Sequence, residues 1–191
     1  MLETIKNSIQ ESIETKQKVA TSLTTQIEKS AKIIIDAIKK GKKVLVCGNG
    51  GSAGDAQHFA AELVGRFEKE RKALPSIALN TNVSTLTALG NDYGYEEVFA
   101  RQVDAFGQEG DIFVGISTSG KSPNVLKAID RANAKGLQVI TLTGRDGGLM
   151  KDKKGLHIIV PSNTTSRIQE SHILIIHIWC KLLDEELFKQ N

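Results

Sequence analysis

KVLVCGNGGSAGDAQHFAAELVGR, residues 43–66, is the stretch of sequence that decides the fold. Its apolar start, Val44–Cys47, predicts a short buried strand, followed by a glycine-rich turn at Gly48–Gly51 and a helix that begins near Ser52. A strand, a glycine turn and a helix N-terminus present unpaired backbone N–H groups at one point, where they bind anions and sugar phosphates. The sequence therefore predicts a ligand-binding turn here.

The helix of this stretch carries His58 and Glu62, four residues apart. Side chains at this spacing lie on the same face of a helix. A histidine and a carboxylate so placed can bind a metal ion or transfer protons. Both functions are open from the spacing alone.

Beyond this stretch, short apolar segments alternate with helical ones, which is typical of a parallel sheet covered by helices on both faces. The predicted strands are Val44–Cys47, Ser76–Leu79, Ile112–Ile116, Val139–Leu142 and His157–Val160. The predicted helices fill about 52–70, 83–89, 96–105, 123–134 and 166–188. We predict one domain over residues 1–191, an α/β three-layer sandwich whose flavodoxin-like, five-stranded parallel sheet lies in residues 43–191.

The spacing of apolar residues in 1–41 predicts an N-terminal helical extension. One apolar stripe begins at Leu2, Ile5, Ile9 and Ile13, and a second runs from Ile27 to Ile38 and ends at Gly41. A long helical start before any strand has little of its own domain to bury against. We therefore expect these helices to serve in oligomerisation.

Composition excludes several classes of protein. The net charge is +3, with 25 basic and 22 acidic residues mixed along the chain, and only 5% of residues are aromatic, so neither a basic patch nor stacking platforms for nucleic acid are expected. Cys47 and Cys180 lie in apolar segments without metal-type spacing and are expected to be buried free thiols. Without a signal-like or membrane-spanning run, the expectation is a cytoplasmic protein that binds no membrane.

A loop rich in hydroxyl groups follows the third predicted strand. Its residues 117–122 have the sequence STSGKS, and Pro123 suits the first turn of the next helix, with Ser122 as N-cap. Ligands of open parallel sheets bind at the carboxyl ends of strands. Phosphate binding is favoured over a loop that only caps the helix.

Two other loops permit more than one interpretation. The first loop also matches the dinucleotide fingerprint, with Ala53 in its third position, but the second strand is followed by Asn80 rather than an acidic residue. Dinucleotide binding is therefore a minor alternative. Asn91 and Asp92, before a glycine, suit either substrate hydroxyls or an ordinary turn.

The last helix is apolar on nearly every side from Ile173 onward, which predicts burial in a core or between subunits. His177 lies inside this run, and Gln169 lies eight residues before it. With His58 and Glu62 they make a suitable nitrogen and oxygen set for Zn²⁺, although a packed core histidine is the common alternative. Eight helical residues span about 12 Å. We hypothesise that one shared ion requires a distorted helix or ligands from two subunits.

The combined motifs resemble the phosphoheptose isomerase family within the sugar isomerase (SIS) domain superfamily. The resemblance covers almost the whole chain, and its motifs are Gly48–Ser52, Asp55–Phe59, Glu62–Leu63, Gly65–Arg66, Asn91–Asp92, Ser117–Gly120 with Ser122, and Arg167–Glu170 with His172 and His177. One departure is Ser166, where some members have an acidic residue.

The resemblance implies a homotetramer, with active sites at subunit interfaces, that converts D-sedoheptulose 7-phosphate to D-glycero-D-manno-heptose 7-phosphate. This is the first step in the biosynthesis of activated heptose for lipopolysaccharide core or other surface glycans. The implied catalytic pair is Glu62 and His177, and the implied ligands of one Zn²⁺ per subunit are His58, Glu62, Gln169 and His177. The implied substrate contacts are Asn49, Gly50, Gly51, Ser52, Glu62, Asn91, Asp92, Ser117, Thr118, Ser119, Ser122 and Gln169.

The residue types suit this chemistry, because a carboxylate is a carbon base and a histidine can move hydroxyl protons. Two alternatives remain. One is a non-catalytic tetrameric SIS protein that binds a replication initiator. Proteins of that group lack the counterparts of Glu62 and His177. The other is a different sugar-phosphate isomerase or sensor on the same fold.

Overall fold

The computed structural model describes residues 1–188, so residues 189–191 of the predicted domain lie outside it. Its five strands form one parallel sheet in the order β2-β1-β3-β4-β5. Because β1 lies between β2 and β3, the chain reverses its winding there, and the loops after β1 and β3 meet at this switch point. The strands are β1 Val44–Gly48, β2 Ser76–Ala78, β3 Ile112–Ser117, β4 Gln138–Gly144 and β5 Leu156–Val160.

Helices cover both faces of the sheet, which confirms the predicted three-layer sandwich. Alternate residues of β1 point to opposite faces: Val44 and Val46 pack with α2, α3 and α7, whereas Leu45 and Cys47 pack with α5 and α6. Cys47 and Cys180 are free and buried, as expected. The helices are α1 Leu2–Ser22, α2 Thr24–Lys39, α3 Gly51–Val64, α4 Val83–Tyr93, α5 Ala100–Phe106, α6 Pro123–Ala134 and α7 Thr165–Leu187, with short 3₁₀ turns at Tyr95–Glu97 and Gly148–Asp152.

Three predicted helix boundaries were wrong. The helix predicted to reach residue 70 ends at Val64, where Gly65 follows and the backbone turns so that Leu74 N–H donates to the Leu63 carbonyl at 2.9 Å. The helix predicted over 83–89 continues to Tyr93, so Asn91 and Asp92 lie in its last turn instead of in a loop. The helix predicted over 96–105 divides into a 3₁₀ turn and α5.

The two N-terminal stripes have different surroundings. The second stripe is buried against the domain, with Ile27 5% and Ile34 0% exposed. The first stripe, on α1, is open in the single chain, with Leu2 75%, Ile5 54% and Ile9 56% exposed. Among the described residues no helix has the length and apolar character needed to cross a membrane.

Candidate active site

The turn after β1 is shaped by glycines. Gly50 has φ 57°, a left-handed value that favours glycine, and it precedes the first residue of α3. A Cβ atom on Gly48 would lie 2.6 Å from the carbonyl oxygen of Ser52, and one on Gly51 would lie 2.6 Å from Nε2 of Gln169. The turn thus packs closely on itself and on α7. It brings Gln169 to the predicted substrate loop.

Asn49 in this turn is joined to the start of α6. Its Nδ2 donates to Oδ1 of Asn124 at 2.9 Å, and Asn124 Nδ2 donates back to Asn49 Oδ1 at 2.9 Å. The Tyr95 hydroxyl also donates to Asn49 Oδ1, at 3.3 Å. Asn124 is only 2% exposed. The amide of Asn49 therefore holds the first loop against the third-strand loop, so its backbone is the part best placed to contact a ligand.

The hydroxyl groups after β3 converge on one another. Ser117 Oγ lies 2.8 Å from Ser122 Oγ and 3.5 Å from Ser119 Oγ. Ser122 occupies the N-cap position of α6, but its side chain makes no capping hydrogen bond. Because the hydroxyls face each other instead of serving the helix, the arrangement favours an oxygen-rich ligand such as phosphate. Thr118 belongs to the same half-buried turn.

Gly120 fixes the path of this hydroxyl loop. It has φ 63°, and a Cβ atom on it would lie 2.0 Å from the carbonyl oxygen of Gly147. Its own carbonyl accepts a hydrogen bond from Met150 N–H at 3.1 Å. The loop after β4 therefore supports the hydroxyl loop, backbone against backbone.

We expect Gly120→Ala to lower kcat/KM about 10²-fold, mainly through KM, because the serines would be displaced by an ångström or so. Steady-state kinetics on a sugar-phosphate substrate measure this effect. Gly41→Ala is the matched control, since Gly41 has φ 73° and an added Cβ would have no other described residue within 4 Å beyond its two chain neighbours. It carries the same backbone strain without the clash. An equal loss in both variants would contradict the supporting role of the loop after β4.

Three predicted catalytic and metal-binding residues meet between α3 and α7. His58 Nε2 lies 3.0 Å from Glu62 Oε1 and 3.1 Å from Nε2 of His177. The Glu62 side chain is 24% exposed and the His58 side chain 44%, so the cluster opens to solvent. The ring of Phe67 stacks on His177, with centroids 5.5 Å apart and planes at 25°. One subunit alone thus brings His58, Glu62 and His177 together.

Two imidazole nitrogens at this distance require either a shared hydrogen or a cation that both can bind. The nitrogen and carboxylate donors are of the types that Zn²⁺ prefers. However, no group of three or more His, Cys, Asp or Glu side chains within residues 1–188 is arranged to hold a metal ion. His58 Nε2 is the common atom of both contacts and has only one hydrogen or one lone pair to serve them, and the zinc site stays a prediction that the chemistry of the three side chains suits.

Other predicted site residues lie apart from this cluster. Gln169 and His177 belong to one continuous helix, and Gln169 contacts the first loop two turns before His177. Ser52 is buried at the start of α3, 3% exposed. Asn91 and Asp92 are both exposed, and Asn91 Nδ2 donates to Asp92 Oδ1 at 2.8 Å. The role of these residues as substrate contacts stays a prediction.

Asp55, one turn before His58, is a carboxyl group in an unfavourable environment. Its Oδ2 is buried and has no hydrogen-bond partner among residues 1–188. Burial raises the pKa of Asp55 to about 6, although the nearby His58 acts in the opposite direction. The folded protein therefore holds this proton more tightly than the unfolded chain does.

We expect Asp55→Asn to stabilise the protein at pH 7 by about 1–2 kcal/mol, allowing for solvent screening. The stability that protonated Asp55 contributes is complete below the unfolded pKa and is lost as the pH rises through 6. Urea unfolding between pH 4 and 7 should accordingly show the wild type becoming less stable relative to Asp55→Asn, with no further change well above pH 6. A variant less stable than wild type at pH 7 would mean that the carboxylate has a favourable partner.

Some residues of the site were missed from the sequence. Asn124 and Phe67 had no motif to mark them, since their roles depend on contacts with Asn49 and His177 from distant parts of the chain. Arg71, which binds the carbonyl oxygen of Glu62 at 2.7 Å, was missed for the same reason. Only the convergence of α3, α6 and α7 reveals them.

Comparison with known proteins agrees with this geometry. The family model described as SIS domain matches residues 8–144. Phosphoheptose isomerase of Shewanella denitrificans is 52% identical over 194 residues, covering 100% of this chain and 99% of its own. The solved phosphoheptose isomerase of Neisseria gonorrhoeae shares the fold with a TM-score of 0.92 and 44% identity, over 96% of this chain and 98% of that chain. The solved phosphoheptose isomerase of Francisella tularensis shares it with a TM-score of 0.94 and 42% identity, over 97% of this chain and 98% of that chain.

Fold and site together define a SIS-domain protein of the sugar isomerase type. Within that class, the chain belongs to the phosphoheptose isomerase family. The predicted family, fold and enzyme class are thereby confirmed. The family membership favours an isomerase over the two alternatives of a dinucleotide-binding protein and a non-catalytic binding protein.

Proposed function

We propose that this chain converts D-sedoheptulose 7-phosphate to D-glycero-D-manno-heptose 7-phosphate through an enediol, as the first step towards activated heptose for lipopolysaccharide core or another surface glycan. The observation that carries the proposal is the contact of His58 with both Glu62 and His177. These residues lie on α3 and α7, the helices that also carry the glycine turn and Gln169. Full-length relatives named phosphoheptose isomerase support this choice of substrate.

The reaction moves one proton from C1 to C2 of the sugar and one between the two oxygens. Glu62 acts as the carbon base, removing the C1 proton to give the enediol and returning a proton at C2. His177 moves the hydroxyl proton between O2 and O1. The Glu62 carboxylate and the His177 imidazole both contact His58 Nε2, so the two groups lie close enough to act on one substrate molecule.

The phosphate group is held at the switch point of the sheet. Ser117, Ser119 and Ser122 donate their hydroxyl hydrogens, and the amides at the N-termini of α3 and α6 add backbone donors. Neutral donors suffice here because helix N-termini carry partial positive charge. Asn91 and Asp92 at the end of α4 bind sugar hydroxyls.

One Zn²⁺ per subunit is part of the proposal. His58, Glu62 and His177 would hold it, with Gln169 as a fourth ligand, and the close approach of the two histidine nitrogens supports this assignment. Zinc held there would supply Lewis-acid polarisation of a carbonyl oxygen. Because Gln169 contacts the glycine turn two turns before His177 on the continuous α7, Gln169 as the fourth ligand would require a distortion of α7 or would come from a second subunit.

A cytoplasmic homotetramer with active sites at subunit interfaces completes the proposal. The stripe at Leu2, Ile5 and Ile9 supports it, because exposed apolar residues in a row on one helix need a covering surface. The same stripe is the expected site of contact between copies of the chain.

The experiment is an isomerase assay of the zinc-replete protein on sedoheptulose 7-phosphate, with product identified by NMR. We expect turnover to the aldose 7-phosphate and at least about 10²-fold lower kcat/KM for sedoheptulose without its phosphate, because remote binding energy is lost. No turnover by the wild type would overturn the proposal in favour of a non-catalytic binding protein. Equal turnover of both sugars would overturn the phosphate site.

A further inference from the structure

The segment of residues 65–71, between α3 and β2, is fastened to α7 by a buried carboxylate. Asp184 Oδ2 accepts hydrogen bonds from the backbone N–H groups of Glu68 at 3.1 Å and Lys69 at 3.3 Å. Its other oxygen, Oδ1, accepts from Arg71 Nε at 2.8 Å. Asp184 lies two turns beyond His177 on α7. One carboxylate therefore ties three points of the segment to the helix that carries His177.

The guanidinium group of Arg71 uses its remaining donors on the end of α3. Nη2 donates to the carbonyl oxygen of Glu62 at 2.7 Å, and Nη1 donates to those of Leu63 at 2.8 Å and Gly65 at 3.2 Å. The last carbonyls of a helix lack partners within it and are stabilised by a cation. Arg71 thus holds the backbone of Glu62 itself.

The same segment places an aromatic ring on the second catalytic residue. Phe67 stacks on His177 with centroids 5.5 Å apart. Because Asp184 fixes the amides of the next two residues, Glu68 and Lys69, it also limits the freedom of Phe67. The ring plane of His177 is set from outside α7 by this contact.

Stability alone does not explain a buried ion pair of this kind. The side chains of Arg71 and Asp184 are 1% and 2% exposed. Removing two charges from water is costly, and apolar replacement of a whole buried pair is often neutral or stabilising. The pair has a geometric result that apolar side chains could not reproduce, because it links the Glu62 carbonyl to α7 through directed hydrogen bonds.

We propose that Arg71 and Asp184 are positioning residues that hold Glu62 on α3 in register with His177 on α7, with Phe67 setting the orientation of the His177 ring. The inference rests on the proposed function, in which Glu62 and His177 act on one substrate. Neither positioning residue touches the reacting atoms. Both act through the backbone of Glu62 and the ring of Phe67.

The test is the double variant Arg71→Met/Asp184→Leu, which removes both charges and keeps apolar bulk. We expect it to fold, to lose about 10–10²-fold in kcat and to keep KM within about threefold, because the phosphate loops are untouched while the catalytic pair is misplaced. Lys43→Met/Asp111→Leu is the control, since Lys43 Nζ and Asp111 Oδ2 form a 2.6 Å pair at the start of the strands. It should leave kcat unchanged.

A second readout does not depend on activity. The chain has four histidines, so isotope-labelled histidine gives a simple NMR spectrum. The stacked Phe67 shifts the ring protons of His177, and we expect that shift to be lost in the double variant and in Phe67→Leu, and restored in Phe67→Tyr together with kcat. If the double variant does not fold, Arg71→Lys carries the test, because it keeps the positive charge beside Asp184 and loses the guanidinium hydrogen bonds to the carbonyl oxygens of Glu62 and Leu63, and it should lower kcat and change the His177 signal.

The outcomes separate the two proposals. A folded double variant with wild-type kcat, or an unchanged His177 signal in Phe67→Leu, would overturn the positioning role. Absence of turnover by the wild type would overturn the proposed function instead, and the NMR measurement would still decide whether Arg71 and Asp184 control His177.

Discussion

Glu62→Gln is expected to lower kcat about 10²–10⁴-fold, because the amide cannot accept a proton from carbon. Glutamine has nearly the same size, and its amide can still donate or accept a hydrogen bond at His58 Nε2, which lies 3.0 Å from the Glu62 carboxylate. The fold should therefore be retained. KM should change little, since the serine and glycine loops that bind the phosphate are intact.

The matched control for this variant is Glu28→Gln on α2. Glu28 also pairs with a basic residue four positions along its helix, Lys32, but on an exposed surface away from the site. We expect wild-type kinetics from it. Wild-type kcat in Glu62→Gln would contradict the role of Glu62 as carbon base.

His177→Ala should also lower kcat about 10²–10⁴-fold, through loss of the group that moves the hydroxyl proton. The substitution leaves His58 Nε2 without its 3.1 Å neighbour and Phe67 without its stacking partner, so a moderate loss of stability is expected as well. Unfolding curves and kinetics measured on the same preparation separate the two effects.

His157→Ala is the control for removal of a histidine. Its ring nitrogens lie 2.8 Å from Thr141 Oγ1 and 2.8 Å from the Lys153 carbonyl oxygen, so its loss affects the packing of β5 and not the site. We expect reduced stability with unchanged kcat. If His177→Ala behaves in the same way, His177 is a packing residue.

The sheet could be predicted from the sequence because each strand is a nearly continuous apolar run between turn residues. Val44–Cys47 was placed within one residue of β1 for this reason. The glycine turn and the serine loop were also visible locally, since their residue types determine the backbone and the donors. Structural features that are determined by residues close together in the sequence could therefore be predicted.

Structural features that are set by contacts between residues far apart in the sequence could not be predicted. The end of α3 at Val64 is set by Gly65 and by Arg71, which reaches back to the carbonyls of Glu62 and Leu63. No periodicity in residues 52–70 predicts this. In the serine loop, Ser122 occupies the predicted N-cap position of α6, but its hydroxyl lies 2.8 Å from Ser117 Oγ and makes no capping hydrogen bond, a detail that the residue types alone do not determine.

The His58, Glu62 and His177 cluster lies between these cases. The spacing of His58 and Glu62 predicted a shared helix face, and the structure places them 3.0 Å apart. The contact with His177 in the same chain could not be derived from spacing, because it depends on how α7 crosses α3. Its cause lies in tertiary packing, to which Arg71 and Asp184 contribute.

The central claim is that Glu62 removes the C1 proton of sedoheptulose 7-phosphate. Its most direct test is the rate of deuterium incorporation from D₂O at C2 of the aldose product and, through reversal of the reaction, at C1 of the ketose, followed by NMR for wild type and Glu62→Gln. We predict incorporation by the wild type and a rate lower by at least about 10²-fold for the variant. Equal rates of incorporation in the two proteins would contradict the claim.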